Sequence, residues 1–245
     1  MSSLIRIEHF AELDSTNEEA RRRVMAGERG PLWLRADVQT AGRGRRGRAW
    51  VSQSGNLFAT GLFVLNAAPR EAAQLSFATA LSAAAVADAA IDPTRVKLKW
   101  PNDVLADGRK LAGLLLESGD APGGGLWLAV GVGINLAHHP EESERPTTDL
   151  TALGGEVTPE RAVSILADAF EHWRARWSRE GFAPIREAWL ARAHGLGERC
   201  EVRLQDETLS GVFADLGPDG ALRLDLPGGD RRFISAGDVF FPSAP

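Results

Sequence analysis

Gln39-Thr-Ala-Gly-Arg-Gly-Arg-Arg-Gly-Arg48 is the stretch around which the rest of the chain is organised. Its last seven residues, Gly42 to Arg48, contain three glycines and four arginines, although the net charge of the whole chain is −5. Glycines let a backbone adopt positive φ and bring its N–H groups close to a ligand. Arginines grip phosphate or carboxylate through two parallel hydrogen bonds. We therefore predict that this arginine loop closes over an anionic ligand.

The arginine loop allows three other interpretations. Gly42-x-Gly-x-x-Gly47 matches the dinucleotide fingerprint, but no helix pattern follows it and no acid occurs between Ala49 and Arg70 to hold a ribose. Arg-Gly clusters also bind nucleic acid without specificity, yet the chain lacks the broad basic field that such proteins need. A solvated surface loop without a role stays open at this point.

Composition narrows the class of protein. The chain has 245 residues, 44% of them hydrophobic, which suits one large domain followed by a small one. Its negative charge argues against general affinity for nucleic acid or for a membrane surface. Cys200 is the only cysteine, which excludes an internal disulfide or a Cys-based zinc site and fits a reducing compartment. With no signal peptide and no apolar run of membrane-spanning length, we expect a soluble, cytoplasmic protein.

Local patterns predict alternating helices and strands. Ser15 and Thr16 are each followed three residues later by glutamate, a pattern that predicts a capping box at the start of a helix ending near Met25. The N–H groups and hydroxyls at that helix start would face whatever lies in front of them. Further strands are predicted at Leu4–Phe10, Leu32–Val38, Asn56–Leu65 and Leu126–Leu136, and further helices at Glu71–Ala90, Pro159–Trp177 and Ala183–His194.

A β-hairpin is the second informative stretch. Two alternating runs flank Asp107-Gly108, a favoured two-residue turn, so Asp103–Ala106 should pair with Lys110–Leu116. Asp103 and Lys110 then lie near enough to be partners. An ion pair of this kind on the surface contributes about 0 to 1 kcal/mol to stability. On the same face as the arginine loop, however, Lys110 becomes a candidate catalytic cation.

The last part of the chain has a different sequence pattern, with short predicted strands at close spacing. Four short strands separated by turn signals predict a small β-barrel: Cys200–Leu204, Leu209–Asp215, Ala221–Leu226 and Arg231–Ser235. Before it, alternating Gly131 and Gly133 permit close approach of a ligand or backbone to a strand. His138 and His139 lie side by side, but no third ligand at a suitable spacing accompanies them, so they give little support to a metal site.

Taken in order, these motifs resemble those of biotin protein ligases, over essentially the whole chain. The resemblance implies an α+β catalytic domain at residues 1–194, similar to class II aminoacyl-tRNA synthetases with a mixed sheet, and an SH3-like β-barrel at residues 195–245. Some members add an N-terminal DNA-binding domain and act as repressors, and this chain resembles the monofunctional type without it. The motifs are Ser15-Thr-Asn17, Gly42–Gly47, Lys99-Trp-Pro-Asn-Asp103, Lys110-Leu-Ala-Gly113 and Gly131-Val-Gly-Ile-Asn135.

The resemblance also implies an activity. Such enzymes activate biotin with ATP and Mg²⁺ to biotinyl-5′-AMP and pyrophosphate, and then transfer biotin to a lysine of the carboxyl carrier protein domain of acetyl-CoA carboxylase or a related carboxylase. It implies no nucleic-acid or membrane partner, and some relatives form homodimers. Two alternatives are a lipoate or octanoate protein ligase, and a binding module without catalytic activity.

Site residues follow from the same resemblance. Lys110, between the biotin carboxylate and the α-phosphate, is implied to be catalytic together with Arg45 and Asp103. Asp103 either orients Lys110 or serves the metal side, and Trp50 lies near the adenine or in the core; the metal ligands are unknown. Implied biotin-binding residues are Ser15, Thr16, Asn17, Gln39, Gly42, Arg43, Lys110 and Gly113. Implied nucleotide-binding residues are Arg43, Gly44, Arg45, Arg46, Trp50, Asn102, Lys110 and Asn135.

Overall fold

A mixed seven-stranded sheet forms the first part of the computed structural model, which describes residues 5–142 and 145–241. The strand order is β1-β2-β3-β7-β6-β5-β4, in which β1 and β2 are parallel and all other neighbours are antiparallel. This is the mixed sheet that the resemblance implies. The strands are β1 (Arg6–Leu13), β2 (Leu32–Gln39), β3 (Leu57–Leu65), β4 (Val96–Lys99), β5 (Asp103–Ala106), β6 (Arg109–Asp120) and β7 (Leu126–Ile134). The predicted first strand began at Leu4, which lies outside the described residues.

Helices cover both faces of the sheet. On one face α1 packs through Ala20 and Val24 against the apolar side chains of β2 and β3, while α3 and α4 lie together on the opposite face. The cavity described below lies on the α1 face. The helices are α1 (Thr16–Met25), α2 (Pro69–Ala72), α3 (Leu75–Asp88), α4 (Pro159–Glu180) and α5 (Ala183–Leu190).

Two helix predictions differ from the structure. The predicted helix Glu71–Ala90 is interrupted, since α2 ends at Ala72 and α3 begins at Leu75. The predicted helix Ala183–His194 already ends at Leu190. Beyond it, the Leu98 N–H donates to the Arg192 carbonyl and the His194 N–H donates to the Leu98 carbonyl, each at 2.8 Å. The chain leaves the helix because it pairs with the open edge of β4, where unpaired backbone groups would otherwise face solvent.

The predicted capping box at α1 does not form. Ser15 is the N-cap residue, but its side chain makes no capping hydrogen bond. Instead, the Thr16 N–H donates to Gln39 Oε1 at 2.8 Å, so a side chain from β2 satisfies a free donor at the helix start. Glu18 pairs with Arg43 of the arginine loop rather than with the helix backbone. The capping partners come from tertiary contacts.

The predicted hairpin between β5 and β6 is present, with one difference in register. Asp107 and Gly108 form the turn with φ of 48° and 73°, the positive values that a two-residue hairpin turn needs. Leu105 pairs with Lys110, as the two-residue turn requires. A β-bulge then shifts the register by one residue, so that Asp103 pairs with Gly113 instead of Ala112. Paired residues share a face, so the bulge brings Gly113 to the same face as Lys110.

The C-terminal barrel, which we define as β8 to β12, is an antiparallel five-stranded sheet of order β11-β10-β9-β8-β12. It has the SH3-like fold that the resemblance implies. All four predicted strands are present, and β12 was not predicted because it has only three residues. The domain boundary at residue 194 stays a prediction. No helix in the described part of the chain is both long and apolar enough to cross a membrane. The strands are β8 (Arg199–Arg203), β9 (Thr208–Leu216), β10 (Leu222–Asp225), β11 (Arg231–Ile234) and β12 (Asp238–Phe240).

Candidate active site

A cavity of about 320 Å³ lies on the α1 face of the sheet, where the start of α1, the arginine loop, the β5–β6 hairpin and β7 meet. Residues from stretches far apart in sequence converge there, as the ordered motifs predict. The predicted site residues that line it are Ser15, Thr16, Asn17, Gln39, Arg43, Gly44, Arg45, Trp50, Asn102, Asp103, Lys110, Gly113 and Asn135.

Two predicted site residues do not line the cavity. Gly42 lies at the base of the arginine loop, where its carbonyl accepts a hydrogen bond from the Trp50 N–H at 2.9 Å. A Cβ on Gly42 would come within 2.8 Å of Ser52 Oγ and of the Trp50 carbonyl oxygen. A glycine at this position therefore allows the backbone to pack closely against residues 50–52. Arg46 bonds Asp238 of the C-terminal barrel at 2.9 Å without itself lining the cavity. Their predicted ligand contacts therefore have no support from cavity geometry.

Trp50 lies over a floor of two paired glycines. Gly113 on β6 is the cross-strand partner of Gly133 on β7, and both face the cavity. A Cβ on Gly133 would lie 2.5 Å from Trp50 Cε2, and one on Gly113 would lie 2.7 Å from Trp50 Cζ3. The indole Nε1 is buried without a hydrogen-bond partner among the described residues. Trp50 thus belongs to the cavity wall rather than to the sheet's main core.

A lysine and a carboxylate form an ion pair beside Trp50. Lys110 Nζ lies 2.7 Å from Asp103 Oδ1, as the hairpin predicts, and 5.4 Å from the centre of the Trp50 ring. Asp103 is buried, and its second oxygen faces Arg145 Nη1 at 3.5 Å. Arg145 comes from the loop after β7, which reaches Lys110 because the Lys110 N–H donates to the Pro146 carbonyl. One buried carboxylate therefore holds two cations at the cavity wall.

The arginine loop is held at both ends by carboxylates. Arg43 pairs with Glu18 on α1 and lies 3.5 Å from Glu117 on β6. At the other end, Asp238 of the barrel lies between three loop arginines, with nitrogen to oxygen distances of 3.7 Å to Arg45, 2.9 Å to Arg46 and 3.6 Å to Arg48. The loop is therefore folded over the cavity by contacts to both parts of the chain.

Arg45 enters the cavity wall between the loop and the hairpin. Its Nη1 donates to Asn102 Oδ1 at 3.2 Å, and Asn102 Nδ2 in turn donates to the Leu114 carbonyl at 2.7 Å. Burial lowers the pKa of the Arg45 guanidinium, while the Asp238 carboxylate opposes that shift. At neutral pH an arginine stays charged despite such a shift, so Arg45 presents a fixed cation.

The cavity carries an excess of positive charge. Among the lining residues that the structure describes, five are cationic and three are carboxylates. Burial, and to a lesser degree repulsion from the Arg145 guanidinium, lowers the pKa of the nearby Lys99 ammonium. An anionic ligand would relieve that repulsion. The cations are Arg43, Arg45, Arg48, Lys110 and Arg145, and the carboxylates are Asp103, Glu142 and Asp238.

Asn135 and His139 have structural partners. Asn135 Nδ2 donates to the Thr148 carbonyl at 3.0 Å, which ties the end of β7 to the following loop. His139 Nδ1 lies 2.5 Å from Asp149 Oδ2, so this histidine is engaged by a carboxylate rather than by its neighbour His138. No group of three or more His, Cys, Asp or Glu side chains that could hold a metal occurs within residues 5–142 and 145–241.

Several cavity residues were missed by sequence analysis. Arg145 lies in an irregular acidic loop without periodicity, and Asp238 belongs to a barrel strand that was itself not predicted. Only Arg48 and the glycine pair of β7 carried a visible signal, since they lie inside stretches already singled out. The lining residues that had not been assigned to the site are Arg48, Ala49, Val51, Leu114, Leu115, Gly131, Val132, Gly133, Pro140, Glu142, Arg145, Thr147 and Asp238.

Comparison with known proteins matches both parts of the chain. The biotin/lipoate A/B protein ligase family matches residues 13–135, and the biotin protein ligase C-terminal domain matches residues 195–241. The biotin–[acetyl-CoA-carboxylase] ligase of Paracoccus denitrificans is 43% identical over 95% of this chain and 99% of its own length. The corresponding ligase of Mycobacterium tuberculosis is 34% identical over 94% of this chain and 86% of its own length.

A solved structure shares the whole architecture. The biotin protein ligase of Aquifex aeolicus, solved in complex with biotin and ATP, superposes with a TM-score of 0.80. The two chains are 27% identical, and the match covers 98% of this chain and 99% of the other. The similarity therefore extends over both the seven-stranded sheet and the C-terminal barrel.

Proposed function

The chain belongs to the biotin protein ligase family, and we propose that its cavity carries out both half-reactions of ATP-dependent protein biotinylation. In the first, biotin and ATP give biotinyl-5′-AMP and pyrophosphate. In the second, the biotinyl group passes to a lysine of a carboxyl carrier domain of acetyl-CoA carboxylase or a related carboxylase. The observation that carries the proposal is the pairing of Lys110 with Asp103 in a cation-rich cavity that the arginine loop also lines.

Adenylation needs fixed positive charge. A carboxylate oxygen of biotin attacks the α-phosphorus of ATP, a new O–P bond forms, and the bond to the β-phosphate oxygen breaks to release pyrophosphate. Negative charge grows on the phosphate oxygens in the transition state, where preorganised cations act most strongly. Lys110 and Arg45 supply that charge from the hairpin and from the arginine loop, and partial burial of both side chains limits screening by water.

Asp103 acts as a positioning residue for Lys110. Its carboxylate is buried and lies 2.7 Å from the ammonium, and Arg145 holds its other oxygen. A lysine has four rotatable side-chain bonds, so an anchoring carboxylate reduces the entropy lost when the ammonium is placed for reaction. Of the two roles considered for Asp103, orientation of Lys110 is the one that these contacts support.

Magnesium fits this cavity as part of Mg-ATP. The described residues include no cluster of three metal ligands, so a protein cage for the ion is not formed by them. Mg²⁺ in nucleotide enzymes is held mainly by phosphate oxygens and water, with one or two carboxylates. Glu142, in the loop after β7, is the lining acid that would complete such a shell, because both oxygens of Asp103 already face Lys110 and Arg145. The ion would neutralise phosphate charge there.

The second half-reaction requires a protected intermediate. The carrier lysine amine attacks the acyl carbon of biotinyl-5′-AMP, an amide bond forms, and AMP leaves. A mixed anhydride is hydrolysed by water, so a closed arginine loop favours transfer to the carrier. We assign the reaction to the cytoplasm, where ATP and reduced thiols such as that of Cys200 are maintained. A homodimer is a further hypothesis that sedimentation velocity would test.

Pyrophosphate release without any carrier tests the proposal. Biotin, lipoate and octanoate are offered in turn with Mg-ATP, to the native chain and to Lys110→Ala. The exposed Lys97 on β4 provides the matched control, Lys97→Ala. We expect release with biotin alone, reduced on the order of 10²- to 10³-fold in Lys110→Ala, as for a lost oxyanion donor, and unchanged in the control. Pyrophosphate release with lipoate or octanoate alone would overturn the assignment of biotin as the substrate. If none of the three acids supported release, the proposed adenylation reaction would be overturned.

A further inference from the structure

A buried hydroxyl behind the cavity wall contacts two residues that line it. Thr60 lies in the middle of β3, is fully buried, and does not line the cavity. Its Oγ1 lies 2.6 Å from Asn17 Oδ1 and 2.8 Å from Thr16 Oγ1. Thr16 and Asn17 both line the cavity at the start of α1. The direction of each hydrogen bond in this group follows from which atoms can only accept.

The Asn17 amide has a determined orientation. Its Nδ2 donates to Glu117 Oε2 at 2.7 Å and to the Leu115 carbonyl at 3.2 Å, and both partners can only accept. The Asn17 Oδ1 atom therefore faces Thr60, and it too can only accept. Thr60 has a single hydroxyl proton, so that proton is committed to Asn17.

The hydrogen bond between Thr16 and Thr60 must then use the proton of the Thr16 hydroxyl. Two hydroxyl oxygens 2.8 Å apart without a proton between them would place lone pairs against each other. Because the Thr60 proton is on Asn17, Thr16 donates to Thr60. The Thr16 hydroxyl thus points its proton into the wall, and only its lone pairs remain for the cavity.

Gln39 keeps an acceptor for the same reason. Its Oε1 accepts the Thr16 N–H at 2.8 Å and lies 3.1 Å from the Thr16 hydroxyl. The single Thr16 hydroxyl proton is within reach of Thr60 Oγ1 at 2.8 Å and of this oxygen at 3.1 Å, and the shorter contact takes it. One lone pair of the Gln39 oxygen therefore remains for a ligand, since a carbonyl oxygen has two. Gln39 also lines the cavity. The wall therefore presents two neighbouring acceptors, Thr16 Oγ1 and Gln39 Oε1.

We propose that Thr60 is a positioning residue for substrate specificity: by taking the Thr16 proton it leaves two acceptors that match the N–H groups of the biotin ureido ring. This inference rests on the proposed function, since it names how the same cavity chooses its acid. Lipoate and octanoate carry no N–H group to place there, so they would leave buried acceptors unpaired. Buried polar groups left unpaired discriminate strongly between similar ligands.

Loss of the Thr60 hydroxyl would remove an acceptor whichever way the network rearranges. The Thr16 proton would turn either to Gln39 Oε1, which consumes the remaining lone pair there, or into the cavity, where it opposes a ligand N–H. Thr60→Val removes the hydroxyl at nearly constant volume, and Thr60→Ser retains it. Thr79→Val is the matched control, because Thr79 is also fully buried but bonds the Leu75 carbonyl within α3, away from the cavity.

The test measures binding of biotin and desthiobiotin by calorimetry without ATP, together with the KM for ATP in pyrophosphate release. Desthiobiotin keeps the ureido ring but lacks the sulfur ring. We expect Thr60→Val to weaken both ligands by the same factor, about 10- to 100-fold. Thr60→Ser should bind both ligands as the native chain does. Neither the KM for ATP in any variant nor biotin binding by Thr79→Val should change.

Each opposite result overturns the inference. Native-like biotin binding by Thr60→Val would show that the network does not set the acceptors. Equal losses in Thr60→Ser or in Thr79→Val, or a parallel rise in the KM for ATP, would show a general packing defect. If the native chain itself neither bound biotin nor released pyrophosphate with it, the proposed function would fail, and that result is separate from any effect of Thr60.

Discussion

Asp238 Oδ2 of the C-terminal barrel lies 2.9 Å from Arg46 Nη1 of the arginine loop, and this contact joins residues 192 positions apart in the chain. The same carboxylate lies within 3.7 Å of Arg45 and 3.6 Å of Arg48. One acid cannot neutralise three guanidinium groups, so the loop keeps a positive surplus toward the cavity while it is tied to the barrel. The cavity is thus completed by both parts of the chain.

Asp238→Asn should loosen the arginine loop. Removing the charge releases three arginines that must then be ordered again when ATP binds, and we expect the KM for ATP to rise roughly 10-fold, the effect of about 1.4 kcal/mol. Steady-state pyrophosphate release measures it, with Asp230→Asn in an exposed turn of the barrel as control. A lower KM for ATP would instead show that Asp238 competes with phosphate for the arginines.

Arg45→Gly should allow biotinyl-5′-AMP to escape. Arg45 bridges the loop to Asn102, so its loss opens the wall that excludes water from the intermediate. We expect biotin to appear on a lysine-rich bystander protein, detected by streptavidin blotting, whereas the chain itself has only three lysines and would label poorly. Arg179→Gly, on the exposed end of α4, is the control. Retention of the intermediate at the native level would contradict the role of Arg45 in closure.

Gly133→Ala should displace Trp50. The new Cβ would lie 2.5 Å from Trp50 Cε2, closer than side-chain contacts allow, so the indole must move off its glycine floor. We expect the free energy of unfolding to fall by about 1 to 3 kcal/mol, with a lower kcat/KM for biotin. Urea denaturation and initial rates measure the two effects. Adding Trp50→Phe to Gly133→Ala should recover part of the stability, and an additive loss in the double variant would contradict direct contact.

His194 should make stability depend on pH. Burial, and to a lesser degree the Lys99 ammonium, lower the pKa of the His194 imidazole in the folded chain. The unfolded chain then binds the proton at a higher pH than the folded one, so the free energy of unfolding decreases as the pH falls from about 6.5 through the lowered folded pKa. His194→Gln should flatten this decrease in urea denaturation, while His172→Gln, on the exposed face of α4, should retain it. Identical profiles of unfolding free energy against pH for His194→Gln and the native chain would contradict this role of His194.

Much of the architecture followed from local patterns, and its exceptions have specific causes. The predicted strands of the mixed sheet and of the barrel match short apolar or alternating runs, because a continuous run reports burial of both faces and alternation reports burial of one. The helix after Ala183 ended early because Arg192 and His194 pair with the edge of β4. The predicted site residues line one cavity, except for Gly42 and Arg46 of the arginine loop.

The sequence by itself determined the hairpin turn and the charge of the arginine loop. Asp107-Gly108 and the glycines of the loop set backbone conformations that depend only on adjacent residues. Only the tertiary structure decided which groups meet: the bulge that turns Gly113 toward Lys110, the Gln39 oxygen that replaces the capping box at Thr16, and the barrel carboxylate of Asp238. These depend on register and on contacts between residues distant in the chain, where the competing partners differ by only about 1 kcal/mol and no local pattern distinguishes them.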